Sequence, residues 1–534
     1  MGEVRKLQKK LRQIENLEIK ASLTTEERVK VSKKAELRAR LAELLLQLSG
    51  PQQTQSIVGK ESEKMKRQVV ENPAALSVQS PAPKMPRAAS PETGNGQEEG
   101  ESEEEPDSQV IPASTETSSW QQQEESEVST LQASWEATRF RLRTLEGHSD
   151  IITCVIAVDN LVISGSRDTT VKVWHVPTAT EQRNLGGHTG GVTCLCAPPP
   201  EFCRRMARFL DLSEKERFIL SGASDCCVSI WVLSSGQCVK SIYTFSAVTA
   251  ICFVPEGHGY IITGSDGGKV QAWSWQSMEN CQSVNAHEEA VTALQSQGPL
   301  VFSGSADGSL CVWEVHPSSH GSPLQRLQQW GPSVTGCGGT QTGHGGSHRG
   351  HLALSPRGDR VFMASGRASI RVLDWRKGTV SRMTNHSSTA GVTDCINQTS
   401  GLLIGSCFDL ATGESTLNLF TLPRCRYLVS LISPETPRIL CFSMWRTASG
   451  DHRWVTGGRE LTVWEQLPSK TKQKGDVAVK RDSRLDSSLM ESEEDSEGEV
   501  DEESDDYSEE DSMPQDASDT EGVAGSSWLR CVLQ

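Results

Sequence analysis

Among the residues of this chain whose types could do chemistry, His148, Ser164 and Asp168 stand out as the parts of a nucleophilic triad. A hydroxyl attacks, an imidazole takes its proton and a carboxylate orients the imidazole. The same trio returns as His188, Ser221 and Asp225, and again as His287, Ser303 and Asp307. Each trio is followed by a tryptophan: Trp174, Trp231 and Trp313. An active site is built once, whereas a constellation repeated at a regular interval is architecture. A buried imidazole, carboxylate and indole N–H each need a partner, and one row of hydrogen bonds satisfies all of them. These residues are therefore expected to be structural, and no catalytic, metal or cofactor-binding residue is assigned. A Walker loop, a zinc-helix motif, a Gly-x-Ser-x-Gly elbow and a kinase signature set are all missing from the sequence.

The elements that hold these residues recur with them from about residue 147 to 464. Gly-His or X-His is followed by a short apolar strand, then Ser-Gly-x-x-Asp, then an apolar residue and Trp. The closing positions fall at Trp174, Trp231, Trp273, Trp313, Trp375, Phe420 and Trp464. Most intervals are roughly 40–45 residues, the length of one four-stranded blade. Two are longer. Residues 198–216 insert Pro198-Pro199-Pro200 and a helix expected around Arg204–Leu212, and residues 331–350 insert a Gly/His-rich loop. On these residues the segment resembles a WD-repeat β-propeller. The resemblance implies an all-β, seven-bladed propeller in which His, Ser, Asp and Trp of each blade hydrogen-bond in a row. It also implies binding of other macromolecules rather than transformation of small ones.

The pattern breaks in places. Gly257-His258 falls after the first strand of the third blade, and Asp266 sits one place early relative to Trp273. The fifth blade has Ser369 where Asp is expected, and the sixth ends in Leu417-Asn418-Leu419-Phe420. No closing Trp is followed by Asp, so six or eight blades stay open on the residues alone. Thr138–Leu145 is expected to supply the outer strand of the last blade and close the ring.

The 534 residues are only 36% hydrophobic and 5% aromatic, which implies a large unfolded fraction. The net charge of −16 belongs to a tail, because 17 Asp/Glu and no Lys/Arg lie between Glu491 and Glu521. Four segments are expected: a basic helical hairpin or coiled-coil docking segment over 1–50, and a disordered Ser/Pro/Glu-rich linker over 51–134. The propeller follows over 135–468, then a disordered acidic tail over 469–534. In the first segment Leu7, Leu11 and Ile14 share one helical face, Thr24 with Glu27 makes a capping box, and Leu37, Leu41, Leu44 and Leu48 form a second stripe. With 12 Lys/Arg against 7 Glu it is too small to bury a core alone, so it is expected to dock on something. The hairpin also looks like terminal helical segments of some translation-associated proteins, which implies contact with ribosomal components or RNA. The 16 cysteines include no CxxC pair, and Cys154, Cys194, Cys252 and Cys311 lie in strand-like contexts. They read as thiols in a reducing compartment, hence a cytoplasmic protein, with the nucleus also open.

Arg167, Arg367 and Arg459 lie in or near the turns between second and third strands, on the face of the Gly-His loops. Clustered there they would suit an acidic peptide or phosphate, with three unrelated solvated arginines as the plain alternative. The chain's own 491–521 tail is one candidate occupant. Cys337, His344, His348 and His351 match no standard zinc spacing and read as a glycine-rich surface loop. The terminal Cys531-Val532-Leu533-Gln534 has the form of a prenylation box, and membrane contact is expected only if Cys531 is lipidated. Ser496, Ser504, Ser508 and Ser512 sit among carboxylates, as acidophilic kinases prefer. The function expected is a non-enzymatic scaffold binding other proteins through the propeller face and the N-terminal helices. A ubiquitin-ligase substrate receptor and an RNA- or ribosome-associated factor are the rivals.

Overall fold

A computed structural model describes residues 2–20, 23–48, 114–316, 322–332, 351–364, 366–387, 390–399, 401–433, 436–468, 474–486 and 490–491. Seven antiparallel sheets follow one another along the chain. Blade 1 is Ile152–Val158, Leu161–Ser166, Val171–His175 and Thr180–Leu185, paired in that order. Blades 2, 3 and 4 repeat the plan within 192–243, 248–285 and 291–330. Blades 5 and 6 occupy 351–384 and 391–433, and blade 7 begins at Ile439. The ring closes as expected: Phe140–Thr144 pairs with Leu461–Gln466, with Phe140 opposite Gln466 and Thr144 opposite Thr462.

The sequence of each strand follows from its place. Middle strands are covered by neighbouring blades on both faces, so Phe218–Ala223 (FILSGA) and Tyr260–Ser265 (YIITGS) are buried throughout. Outer strands meet solvent, so Thr180–Leu185 (TEQRNL) is polar and exposed except at Leu185. The glycine of each Ser-Gly pair sets how closely blades approach. A Cβ on Gly222 would lie 2.6 Å from Val248 Cγ1 of blade 3. A further tie was missed in the sequence. Thr193 Oγ1 donates to Gly222 O and to Val248 O, and Thr249 Oγ1 donates to Gly264 O and, at 2.6 Å, to Val291 O. Thr153 makes the same pair of bonds to Gly165 O and Val192 O, so these inner strands are stapled blade to blade. The signal was present as Ile152-Thr153-Cys154, Val192-Thr193-Cys194 and Val248-Thr249-Ala250.

Three expectations change. Trp375 does not close blade 5 in the manner of Trp174: Leu373 stands opposite Val361 as Trp174 stands opposite Val162. Trp375 lies two residues further on, where blade 3 has Trp275. Both indoles donate to the carbonyl of the loop between first and second strands, Trp375 to Gly358 O and Trp275 to His258 O. With that shift Arg367, not Ser369, occupies the place that Asp168 holds in blade 1. Second, a helix runs through Ser114–Glu136, across the end of the segment read as linker over 51–134. Its C-terminal end is held because Trp135 is buried against Phe140 and His452, and Gln132 Nε2 donates to Tyr427 O. Third, the propeller does not stop at 468. Ala478–Lys480 adds a strand to blade 6 and Met490–Glu491 adds one to blade 5. The blade 2 insertion forms a helix at Pro200–Phe209 and buries Phe202, Cys203, Met206 and Ala207. No described helix is long and apolar enough to cross a membrane.

The N-terminal segment forms α1 (Gly2–Glu18), α2 (Thr25–Ser32) and α3 (Lys34–Leu48). The second helix of the expected hairpin is broken at Lys33, which caps α2 before α3 begins. Thr24 and Glu27 make the reciprocal capping box: Glu27 N donates to Thr24 Oγ1 at 3.2 Å and Thr24 N to Glu27 Oε2 at 2.8 Å.

Candidate protein-interaction face

In blade 1, His148 is held by the loop leading into the blade, Ser164 by the second strand, Asp168 by the following turn and Trp174 by the third strand. Trp174 Nε1 donates to Ser164 Oγ at 2.8 Å, Ser164 Oγ lies 2.7 Å from His148 Nε2, and His148 Nδ1 lies 2.8 Å from Asp168 Oδ2. The row assigns direction: the indole donates to the hydroxyl, the hydroxyl to the imidazole, and the imidazole to the carboxylate. Burial would raise the Asp168 carboxyl, but hydrogen bonds from Thr170, His148 and the Ser149 amide outweigh it and hold it at about 2. Burial pushes the His148 imidazole down, so it is neutral in the fold. The Ser164 hydroxyl is thus enclosed between two partners and offers no exposed nucleophile.

Blade 2 repeats the row. Trp231 donates to Ser221 at 2.8 Å, Ser221 lies 2.7 Å from His188 Nε2, and His188 Nδ1 lies 3.0 Å from Asp225. Blade 4 modifies it. Trp313 and Ser303 bond as before, but His287 Nδ1 meets the Ser309 hydroxyl, and Asp307 accepts from the Ser309 and Glu288 amides. Burial pushes His287 down to about 4. Blade 3 keeps only Trp273 donating to Thr263, and blade 7 only Trp464 donating to Thr456. In blade 6, Phe420 stands in the Trp register, and a buried network joins Asn385 Nδ2 to Thr393, Asn418 Nδ2 to Asn385, and Ser430 to Asn418.

The loops leading into the blades and the turns between second and third strands lie on one face, because the second strand runs back towards the start of the first. The N-terminal helices sit there. Val4, Leu7, Leu11 and Leu41 are buried with Ala390, Val392, Phe408 and Leu410 of blade 6. Arg167, fixed by both Asp150 oxygens, also donates to Ile19 O just past α1. Arg459 Nη2 donates to Glu18 Oε2 at 3.1 Å. Burial, and then the Arg367 guanidinium, push Arg12 of α1 below the usual arginine range. Glu15, almost fully buried, accepts from Arg38 and Lys34 and keeps the helix pair together. Two of the three arginines expected to await an acidic partner, Arg167 and Arg459, are therefore met by the chain's own α1 segment, whereas Arg367 faces another cation, Arg12. Cys531, Ser496, Ser504, Ser508, Ser512 and the 491–521 charge run past Glu491 lie outside the described residues, as do Cys337, His344 and His348. Among the described residues no group of His, Cys, Asp and Glu could hold a metal ion. A cleft of about 290 Å³ between blades 4 and 5 is open and polar, lined by Gln328, Gln329, Trp375, Arg376 and Lys377.

The repeat family described as "WD domain, G-beta repeat" matches residues 139–175, 179–232, 236–274 and 278–314. Each stretch joins the outer strand of one blade to the first three strands of the next, so the four run from the ring-closing strand to the third strand of blade 4. The chain is a WD-repeat β-propeller protein. Among its relatives, Protein ROOT INITIATION DEFECTIVE 3 of Arabidopsis thaliana is 27% identical over 206 residues, covering 35% of this chain and 44% of that protein. Small ribosomal subunit protein RACK1 of Drosophila melanogaster is 23% identical over 191 residues, 33% of this chain and 54% of that protein. Mitochondrial division protein 1 of Neosartorya fischeri is 25% identical over 212 residues, 36% of this chain and 28% of that protein. The chain spans about half the length of the first two and less of the third. WD-repeat propellers in general are non-catalytic scaffolds that bind other proteins. The helices over the face lie outside every matched repeat.

Proposed function

We propose that this propeller is a non-catalytic adaptor that holds protein partners on the part of its upper face that α1–α3 leave open. The observation that carries this reading is the closure of the His–Ser–Asp rows. In blades 1 and 2 the serine hydroxyl is fully buried and bonded on both sides, so the groups that resemble catalytic machinery are consumed in holding blades. Binding capacity then resides in loops and turns. Quantitative co-purification from cells of the full chain and of a variant with three substitutions in exposed turn residues of blades 2 to 4 tests this. Loss of defined partners with an unchanged melting temperature supports the reading; an identical partner set for both contradicts it.

A second reading rests on the hairpin. With its apolar face turned to blade 6, α1–α3 present Lys9, Lys10, Arg28, Lys30 and Lys33 to solvent. Such a basic surface suits the phosphate backbone of RNA, and one relative bears the name of a small ribosomal subunit protein. Nuclease-sensitive co-sedimentation with ribosomes, lost when these five residues become Glu, supports it; sedimentation indifferent to either treatment contradicts it. The buried thiols suit a reducing compartment, which supports a cytoplasmic or nuclear protein.

A further inference from the structure

The arc of the upper face over blades 2 to 4 is built differently from the part under α1–α3. Phe245, in the loop leading into blade 3, is 80% exposed. Its φ is +65°, a conformation that bulky L side chains rarely adopt. Tyr243, at the end of the blade 2 outer strand, is 57% exposed and packs edge-on against it, with ring centroids 5.1 Å apart. The backbone here is not loose: Thr244 Oγ1 donates to Cys226 O and to Ser246 O, pinning the loop on either side of the ring. A fold that keeps a large ring in water on strained backbone accepts both costs at once, and such positions cluster at ligand clamps.

Carboxylates continue the strip. Asp266 N donates to Ala247 O, so the Asp266 turn adjoins the Phe245 loop. His287 N donates to Gly268 O, which brings in Glu288 and Glu289 next along the rim. All three side chains are exposed, and among the described residues none has an ion-pair or hydrogen-bond partner for its carboxylate. Lys269 is the exposed cation beside them, so the strip stays net negative. Aromatic faces beside free carboxylates have one ligand chemistry in common: a guanidinium stacks flat on a ring and pairs with a carboxylate through its edge.

We infer that the arc formed by Tyr243, Phe245, Asp266, Glu288 and Glu289 is a docking site for an arginine-containing basic segment of a partner protein, with Phe245 as the stacking platform. The inference deepens the adaptor reading and rests on it; it names the chemistry of one partner class. The opposite charge of the α1-covered part, where Arg167, Arg367 and Arg459 lie, directs such a segment to blades 2 to 4 and away from blades 1, 5 and 7.

Fluorescence anisotropy on the full-length chain tests it, with labelled Arg-Gly-Arg-Gly-Arg-Gly as probe and the matched Lys-Gly peptide as control. Three proteins are compared: wild type, Phe245→Gly and Glu288→Lys/Glu289→Lys. The acidic tail is present in all three, so its background binding cancels. The arginine peptide is expected to bind wild type at least about fivefold more tightly than the lysine peptide; Phe245→Gly is expected to lose about tenfold for the arginine peptide alone, and Glu288→Lys/Glu289→Lys about tenfold for both peptides. Phe245→Gly is also expected to melt no lower than wild type, because glycine relieves the positive φ; this separates lost binding from lost folding. Equal affinity of wild type and both variants overturns the inference, as does an effect of the charge variant without an effect of Phe245→Gly. Wild-type dimerisation in sedimentation velocity that Phe245→Gly abolishes also overturns it, in favour of a second copy as the occupant. The adaptor reading fails separately, on partner co-purification, and survives any of these results.

Discussion

Arg459 in the last blade and Glu18 in the first helix stand 3.1 Å apart, joining the two ends of the folded chain on one face of the propeller. The pair is solvent-exposed on the arginine side, so it positions more than it stabilises. The holding force is apolar: Leu11 and Leu41 have no exposed surface where they meet Phe408 and Leu410.

The two contributions separate by mutation. Leu11→Asp places an unpaired carboxylate in that contact and is expected to undock α1–α3, at a cost of at least about 3 kcal/mol. Arg459→Ala removes only the exposed pair and is expected to cost under about 1 kcal/mol. Hydrogen exchange at 390–392 and 408–411 reads the difference: fast for Leu11→Asp, near wild type for Arg459→Ala.

The rows of blades 1 and 2 act as units. Ser221→Ala leaves the Trp231 indole N–H and His188 Nε2 without their partner and is expected to cost roughly 2–3 kcal/mol in urea unfolding. Ser221→Ala combined with His188→Ala is expected to cost less than the sum of the two, because both remove the same row.

The neutral histidines make stability depend on pH. The unfolded chain protonates its histidines near 6.5, whereas burial holds His287 down to about 4 and shifts His148 the same way. Between those values the unfolded state binds more protons, so stability is flat above about pH 6.5 and falls as pH drops towards 4. His287 alone accounts for a loss on the order of 3 kcal/mol. Asp168, held at about 2, keeps its contribution until the pH falls below the ordinary carboxylate range. A melting temperature that does not change from pH 7 to 4.5 contradicts the neutral assignment.

Ring closure rests on Glu465. It is buried beside Trp464 in blade 7 and accepts from Arg141 and Arg143 of the strand that closes the ring. Glu465→Gln is expected to cost roughly 2 kcal/mol, less than for a fully buried pair because Arg141 keeps 42% of its surface in water. The loss is expected first as faster exchange in Leu461–Gln466.

Much of this was legible in the sequence, and the exceptions share a cause. The rows of blades 1 and 2 were readable because each residue type has one partner it can satisfy, and Thr138–Leu145 because a ring needs a closing strand. Trp375 was misread because an indole at a strand end looks the same whether it bonds a hydroxyl or a loop carbonyl; the pair Trp273 and Trp275 in blade 3 already signalled two such positions. Residues 114–134 were read as linker from their Ser, Gln and Glu content, and only the docking of Gln132 and Trp135 ties the helix down. The stripe of α1 was visible, but an apolar face does not say what will cover it. Nothing local to Arg167 or Arg459 showed that Ile19 and Glu18 would meet them.

The central claim is that the repeated rows are scaffold and that partner choice lies on the open arc of the face. Quantitative proximity labelling by the full-length chain compares Ser164→Ala with Phe245→Gly/Glu288→Lys/Glu289→Lys most directly. The account predicts that Ser164→Ala, at a temperature where it remains folded, keeps the wild-type partner set, and that the arc variant loses a defined subset. Partners lost by folded Ser164→Ala, with none lost by the arc variant, would contradict it.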